Sequence, residues 1–394
     1  MAWHRSHLHI ARGAAALAAA MGIGRFVYTP ILPLMTSQTG LTPVGAGGLA
    51  TANYVGYLGG ALVGAAAPRV VRTTATWRLS LVAVVVGLAL MPLTRNDFAW
   101  IAIRAVTGFA SAVLFVIAVD WILDHSRGGS VQLSGWGFGG VGIGIALSGL
   151  VVAVLPATGW RGLWWASAAL AAVLAMAAWH MRGSDELSVD TRTAGTGSRR
   201  WFVVLLACYS LEGVGYIIAG TFLVAAIGEA SPGWLCSGAW VMVGLAAAPS
   251  AALWARFSAR RSRPALLIVA LLAQAVGIAL PALVDGVAPA LIGAVLFGGT
   301  FIGISNVALA AGRELSVPGA VAVLTAGYSV GQIAGPIVVT PLLHHGFRNA
   351  LLTAALVVAA SAATAAWLRV GCRELSPPPQ RGADRPAAAR SLAG

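Results

Sequence analysis

Charged side chains are scarce in this chain. Of its 394 residues, 9% are charged and 58% are hydrophobic, whereas soluble domains carry about 25% charged residues. The mean hydropathy is +0.84. So few charged groups cannot cover the surface of a water-soluble protein of this size. The composition therefore excludes a soluble enzyme, a soluble nucleic-acid-binding protein and a disordered chain, and it indicates an integral membrane protein.

Lysine is absent, and cysteine is rare. Without lysine there is no phosphate-binding loop of the Gly-x-x-x-x-Gly-Lys type, which excludes ATP-driven pumping by this chain alone. Cys208, Cys236 and Cys372 have the spacing of neither a disulfide framework nor a metal site. We expect no metal and no cofactor. A membrane-embedded transferase, the rival from a different class, needs acids or histidines clustered at one interface. The sequence has no such cluster, which favours a protein that is not an enzyme.

Long apolar runs divide the sequence into predicted membrane spans. A helix needs about 20 apolar residues to cross a bilayer, and in lipid each span must satisfy its own backbone hydrogen bonds. We predict an all-α, polytopic membrane protein with twelve transmembrane helices, numbered helix 1 to helix 12. They cover residues 10–35, 44–67, 77–94, 98–124, 131–156, 160–182, 201–228, 234–257, 264–284, 288–312, 318–343 and 347–370.

The arginines lie mostly on one side of this predicted topology. With loops alternating between sides, 20 of the 25 arginines share the side of both termini. The opposite side has only Arg95, Arg161 and Arg348, and Arg25 and Arg104 fall inside spans. Since positive loops stay in the cytoplasm, we expect both termini to be cytoplasmic. The same distribution explains the net charge of +13 without a nucleic-acid partner.

The longest polar internal segment, 183–200, separates two sets of six predicted helices. We predict an N-terminal bundle at 1–182, a cytoplasmic linker at 183–200, a C-terminal bundle at 201–370 and a disordered cytoplasmic tail at 371–394.

The second half carries short motifs of the first at nearly constant offset. Gly22-Ile23-Gly24-Arg25 matches Gly213-Val214-Gly215-Tyr216, and Gly135-Trp136 matches Gly327-Tyr328. Two pseudo-symmetric six-helix bundles are typical of secondary transporters, which bind substrate near the midplane. A duplication that serves another membrane function is the alternative, and the repeat disfavours a channel.

Arg104-Ala105-Val106-Thr107-Gly108 in helix 4 is similar to the Arg-x-x-x-Gly motif of the major facilitator superfamily, which is associated with proton coupling. The stretch after helix 2, from Gly64 to Arg72, is similar to its cytoplasmic gating motif. There Arg69 and Arg72 match, but Pro68 replaces the usual Asp and Val71 the usual Gly. The resemblance implies the fold of that superfamily and a gating role for Arg69 and Arg72.

Three further stretches carry a narrower resemblance: Gly24-Arg25-Phe26-x-Tyr28-Thr29-Pro30, Asn53-Tyr54-x-Gly56-Tyr57 and Gly327-Tyr328-Ser329-x-Gly331-Gln332. They resemble the bacterial YbfB/YjiJ-type subgroup of transporters. This resemblance implies a transporter in the bacterial cytoplasmic (inner) membrane and names no substrate. We expect a monomer whose partners are the lipid bilayer, a small-molecule substrate and protons.

Two lone charged residues are the main candidates for the chemistry. Arg25 lies deep in helix 1, where an arginine costs at least about 2.5–3.5 kcal/mol, and its guanidinium is a bidentate donor for a substrate carboxylate or phosphate. A structural arginine held by helix-end carbonyls or by a fixed acid is the alternative. Glu212 is the only acid well inside a span. Burial favours its neutral form, which suits a proton-coupling group, and a permanent ion pair is the alternative. We predict that Arg25 and Glu212 pair when the site is empty.

Other polar residues complete the predicted site. The resemblance assigns proton coupling to Arg104 as well, and snorkelling to the interface is its alternative. Together with Arg25, the predicted substrate-binding residues are Tyr28, Asn53, Tyr57, Tyr209, Tyr216, Asn306, Tyr328 and Gln332. The sequence thus predicts a secondary transporter of a small organic solute working by alternating access, with proton-coupled efflux as the first choice. Uptake of a small organic anion by symport is the alternative, which Arg25 favours.

Overall fold

The protein is an array of long helices. The computed structural model describes residues 2–71, 73–125, 131–181, 196–229, 233–258, 260–315, 317 and 320–371. All regular structure within these ranges is helical. Arg72, most of the predicted linker and residues 372–394 of the predicted tail lie outside them.

The helix bounds agree with the predicted spans to within several residues in most cases. Helix 1 comprises Ala2–Leu17, a π-helical segment Ala18–Ile23 and Tyr28–Thr39. Helices 2 to 6 span Pro43–Ala66, Thr74–Leu90, Asp97–His125, Val131–Phe138 with Gly140–Val154, and Gly159–Ala178. Helices 7 to 12 span Thr196–Gly228, Gly233–Ser258, Arg263–Leu283, Val287–Glu314, Ala320–Val339 and Phe347–Gly371.

Within the described ranges, eleven helices are long and apolar enough to cross a membrane. Helix 2 has 24 residues, enough to cross, but its glycines, Thr51, Asn53 and two tyrosines make it less apolar. Large apolar side chains such as Leu79, Val173 and Leu356 are exposed on the outer faces of the array. Outward-facing apolar side chains are expected where the solvent is lipid rather than water.

Two predicted boundaries change. Helix 7 begins at Thr196, inside the predicted 183–200 linker, because its first turns extend beyond the apolar run. Helix 1 is not the continuous span that residues 10–35 predicted, since it is interrupted between Ile23 and Tyr28.

Helix pairing follows the same pattern in both halves of the chain. In the first half, helix 2 packs on helix 4 and helix 1 packs on helix 5. The equivalent helices of the second half pair in the same way, helix 8 with helix 10 and helix 7 with helix 11. The halves meet where helix 5 packs on helix 8 and helix 2 on helix 11. The exact domain bounds 1–182 and 201–370 stay a prediction.

Glycine sets the closest of these approaches. An added Cβ at Gly22 in helix 1 would run into the backbone of Gly144 in helix 5. Small residues allow such close backbone contact, which drives helix association in lipid, where the hydrophobic effect between helices is absent. Helix 1 is therefore pressed against helix 5 just before its interruption.

Candidate functional site

The interruption in helix 1 has a local cause in the sequence. Pro30 has no N–H to donate to the carbonyl of Phe26, and Thr29 N donates to that carbonyl instead, at 3.2 Å. Before the interruption, Gly24 N donates to Ala19 O at 2.9 Å, five residues back, as in a π-helix. The carbonyl of Arg25 is thereby left without its usual partner, Thr29 N.

Arg104 of helix 4 provides the missing donors. Its guanidinium donates to the carbonyls of Gly24 and Arg25 at 3.3 and 3.2 Å, and it lies 5.1 Å from the centroid of the Tyr28 ring. Arg104 is 1% exposed. The carbonyl of Arg104 accepts a hydrogen bond from Asn53 Nδ2 at 3.0 Å. Arg104 thus clamps the interrupted backbone of helix 1 rather than reaching the interface.

Arg25 points across the molecule to the second half. One terminal nitrogen donates to Gln332 Oε1 of helix 11 at 2.7 Å. The guanidinium lies 4.4 and 4.9 Å from the ring centroids of Tyr57 and Tyr54, on helix 2. Its Nε has no hydrogen-bond partner among the described residues. Arg25 is 3% exposed, so a cation–π cage and one amide oxygen replace the carboxylate that usually accompanies a buried arginine.

Parallel aromatic rings form the other wall. Tyr216 of helix 7 stacks with Phe301 and Phe297 of helix 10, with centroids 5.1 and 5.7 Å apart. Its ring also lies 6.0 Å from that of Tyr328 of helix 11, which stacks on Tyr209 at 4.3 Å. We call these five residues the ring column. Their apolar faces and hydroxyl edges suit a flat organic group.

Glu212 lies next to Tyr328 of the ring column. It is completely buried, and Gln274 of helix 9 and Tyr328 approach its carboxyl group. Neither carboxyl oxygen of Glu212 has a well-formed hydrogen bond among the described residues. The side-chain amide nitrogen and oxygen of Gln274 also lack one among these residues. Arg25 and Glu212 are not paired here, because Arg25 donates to Gln332 instead.

Hydrogen bonds tie the halves together on one side of Arg25. Thr29 Oγ1 donates to Gly220 O at 2.6 Å. Tyr54 Oη lies 2.8 Å from Thr221 Oγ1, whose own hydrogen goes to Ile217 O, so Tyr54 is the donor. These contacts lie toward the face where helix 1 ends at Thr39, which we call the distal face. The first segment of helix 1 packs instead on helices 4, 5 and 6 of its own half.

The structure groups the predicted site residues in three places. Arg25, Tyr57 and Gln332 meet at the centre, Tyr209, Tyr216 and Tyr328 form part of the ring column, and Tyr28 and Asn53 surround Arg104. Tyr28 donates to Ala46 O at 2.9 Å, a contact within its own half. Asn306 is half-buried, and Arg69 is exposed. Arg72 lies outside the described residues.

Three residues near this centre are not among the predicted site residues, although Tyr54 lies in one of the motifs that carry the resemblance. Tyr54 holds the Arg25 guanidinium, Phe301 extends the ring column, and Gln274 approaches Glu212. Gln274 carried a signal, since it is the one amide in the apolar run of helix 9 and polar groups at membrane depth are functional candidates. Phe301 carried none, because a phenylalanine in a membrane helix is ordinary.

An array of membrane helices with an interrupted helix and buried charges at its centre is typical of secondary transporters. The comparisons with known proteins agree. Residues 17–369 match the family described as the uncharacterised MFS-type transporter YbfB, so the chain belongs to that family of the major facilitator superfamily. It is a multi-pass membrane transporter and not an enzyme.

Solved structures show the same fold. The crystal structures of the nucleoside transporter NupG and of a point mutant of it each superpose with a TM-score of 0.69 at 14% identity. Each comparison covers 92% of this chain and 99% of NupG. At this identity the likeness concerns the fold alone. No curated protein matches the chain in sequence.

Proposed function

We propose that this chain is a proton-coupled secondary transporter of small organic anions, in which Arg25 binds the anion and Glu212 carries the proton. The observation that carries the proposal is the Arg25 guanidinium, which is buried at the centre with no carboxylate partner among the described residues. Among the described residues the buried charged side chains are Arg25, Arg104 and Glu212. Two buried guanidinium groups are thus accompanied by one buried carboxyl group, and a bound anion would supply the missing negative charge.

The interruption of helix 1 accounts for the different roles of the two buried arginines. Arg104 uses its donors on the backbone carbonyls, which leaves Arg25 as the anion-binding group.

The hydrogen bonds between the halves support alternating access. Thr29, Tyr54 and Gln332 bond across the halves at Arg25 or on its distal side, whereas helices 5 and 8 meet through small residues, as at Gly135 and Ala252. If the arginine-rich face is cytoplasmic, as the positive-inside rule predicts, these hydrogen bonds would help to close the site toward the outside. Binding of an anion would release Gln332 from Arg25 and loosen these contacts.

The first test measures binding of lactate, benzoate and phthalate and of their neutral amides to purified full-length protein by calorimetry. We expect carboxylates to bind and amides not to bind. Loss of two charge-assisted hydrogen bonds, about 1.5 kcal/mol each, should weaken binding roughly 100-fold in Arg25→Gln. Arg25→Lys keeps the charge but not the bidentate donors, so its affinity should lie between those of the wild-type protein and Arg25→Gln. The exposed Arg348→Gln, which loses only an ion pair with Asp285, is the matched control. Equal binding by Arg25→Gln or by the amides contradicts the proposal.

The second test measures proton movement in liposomes with a pH dye in the lumen, with protein-free liposomes to subtract passive leak. Acidification as the anion enters indicates symport, and alkalinisation indicates the exchange with protons that the sequence analysis favours for efflux. Glu212→Gln should remove either signal but keep anion binding. The control is Glu229→Gln, since Glu229 only accepts a bond from Phe347 N at the distal face. An unchanged signal in Glu212→Gln rejects the proton role.

A further inference from the structure

The ring column lies directly against the anion-binding group. Phe26 follows Arg25 in sequence and meets the edge of Tyr216, with centroids 6.5 Å apart and planes at 82°. The rings of the column are nearly parallel, since Tyr216 makes angles of 19°, 26° and 26° with Phe297, Phe301 and Tyr328. A charged donor and a set of parallel aromatic faces therefore adjoin at the contact between the halves.

Gln332, which accepts the hydrogen bond from Arg25, lies on the same helix as Tyr328 of the ring column. Gln332 follows Tyr328 by four residues in helix 11, so both side chains lie on one helix face. The acceptor that Arg25 now has is a neutral amide oxygen, and the Arg25 Nε has no partner among the described residues. A carboxylate that displaced Gln332 would accept two bonds from Arg25. The rest of the ligand would then lie against the face that carries Tyr328.

From this juxtaposition we infer that the preferred substrates are aromatic carboxylates, with the carboxylate on Arg25 and the ring stacked in the column formed by Tyr216 and Tyr328. The inference rests on the proposed anion site and adds the class of the anion. Offset stacking of aromatic rings adds attraction beyond area burial, which a saturated ring of similar size lacks. Tyr328 is half-buried while Tyr216 is buried, so a ligand ring would reach the column from the side of Tyr328.

The experiment compares three probes on full-length protein in nanodiscs by calorimetry. Benzoate carries both features, cyclohexanecarboxylate has the charge without the flat ring, and benzamide has the flat ring without the charge. We expect benzoate to bind about tenfold more tightly than cyclohexanecarboxylate, and benzamide not to bind. Tyr216→Leu should reduce that ratio to about one, and Tyr216→Phe should keep it.

Tyr328→Leu serves as a second variant in case Tyr216→Leu does not fold, and thermal unfolding checks both. The half-exposed Trp165→Leu in helix 6 is the matched control, and it should leave the ratio unchanged. Equal affinities for the two carboxylates, both lost in Arg25→Gln, overturn the aromatic preference and leave the anion site standing. A tenfold ratio that persists in both leucine variants also overturns it. If the affinity for both carboxylates is unchanged in Arg25→Gln, the proposed function is wrong, and this inference with it. The same holds if benzamide binds as tightly as benzoate.

Discussion

Replacing Arg104 should damage the site far more than the fold. Arg104 makes two hydrogen bonds to helix 1, to the carbonyls of Gly24 and Arg25. Interhelical hydrogen bonds in membranes contribute about 0.6 kcal/mol on average and up to about 1.7, so the pair contributes roughly 1–3 kcal/mol. Burial of an arginine at membrane depth costs about 2.5–3.5 kcal/mol. Because these two effects nearly cancel, Arg104→Gln should change the free energy of unfolding by less than about 2 kcal/mol.

Anion binding should respond more strongly, because Arg25 is held in place through its own backbone carbonyl. With that carbonyl released, we expect Arg104→Gln to weaken benzoate binding about tenfold, while the proton signal at saturating anion persists. Arg104→Lys keeps a charge but has no planar fork for two carbonyls, and it should give a smaller loss. Calorimetry measures the affinity, and unfolding in mixed detergent measures the stability.

Arg161→Gln is the control for these variants, since Arg161 is exposed and packs on Trp160 at the distal face. Unchanged affinity in Arg104→Gln would refute the clamp. Loss of the proton signal at saturating anion, with affinity kept, would instead support the coupling role that the sequence resemblance implies for Arg104.

Two further predictions concern the packing of the helices. Gly22→Ala puts a methyl group into the backbone of Gly144 and should destabilise the protein by about 1–3 kcal/mol. Gly48→Ala puts its methyl group into open space within helix 2 and should not destabilise the protein in the same thermal unfolding assay, because alanine favours a helix over glycine. Tyr54→Phe removes the hydrogen bond to Thr221 between the halves, worth about 0.6 kcal/mol, and should shift the population open at the distal face about threefold in spin-label distances between helices 1 and 7. Unchanged distances would show that this bond does not hold the halves together.

Hydropathy predicted the class of the protein and most helix bounds, since each span in lipid must satisfy its own backbone. The interruption in helix 1 was not predicted, although Pro30 and the glycines before it were visible. Proline is tolerated in many membrane helices, so its presence alone does not place a break. The neighbouring Arg104, which supplies donors to the freed carbonyls, stabilises the interruption at this point.

The amino-acid sequence by itself determined that Arg25 and Glu212 are buried, because a charged side chain deep in a membrane span is too costly to face lipid and turns to the protein interior. Only the tertiary structure decided which partner each takes. Arg25 bonds to a residue 307 positions away, and Arg104 to carbonyls 80 and 79 positions away. Helical periodicity relates residues three or four apart, whereas partners on different helices depend on how close small residues let the backbones approach.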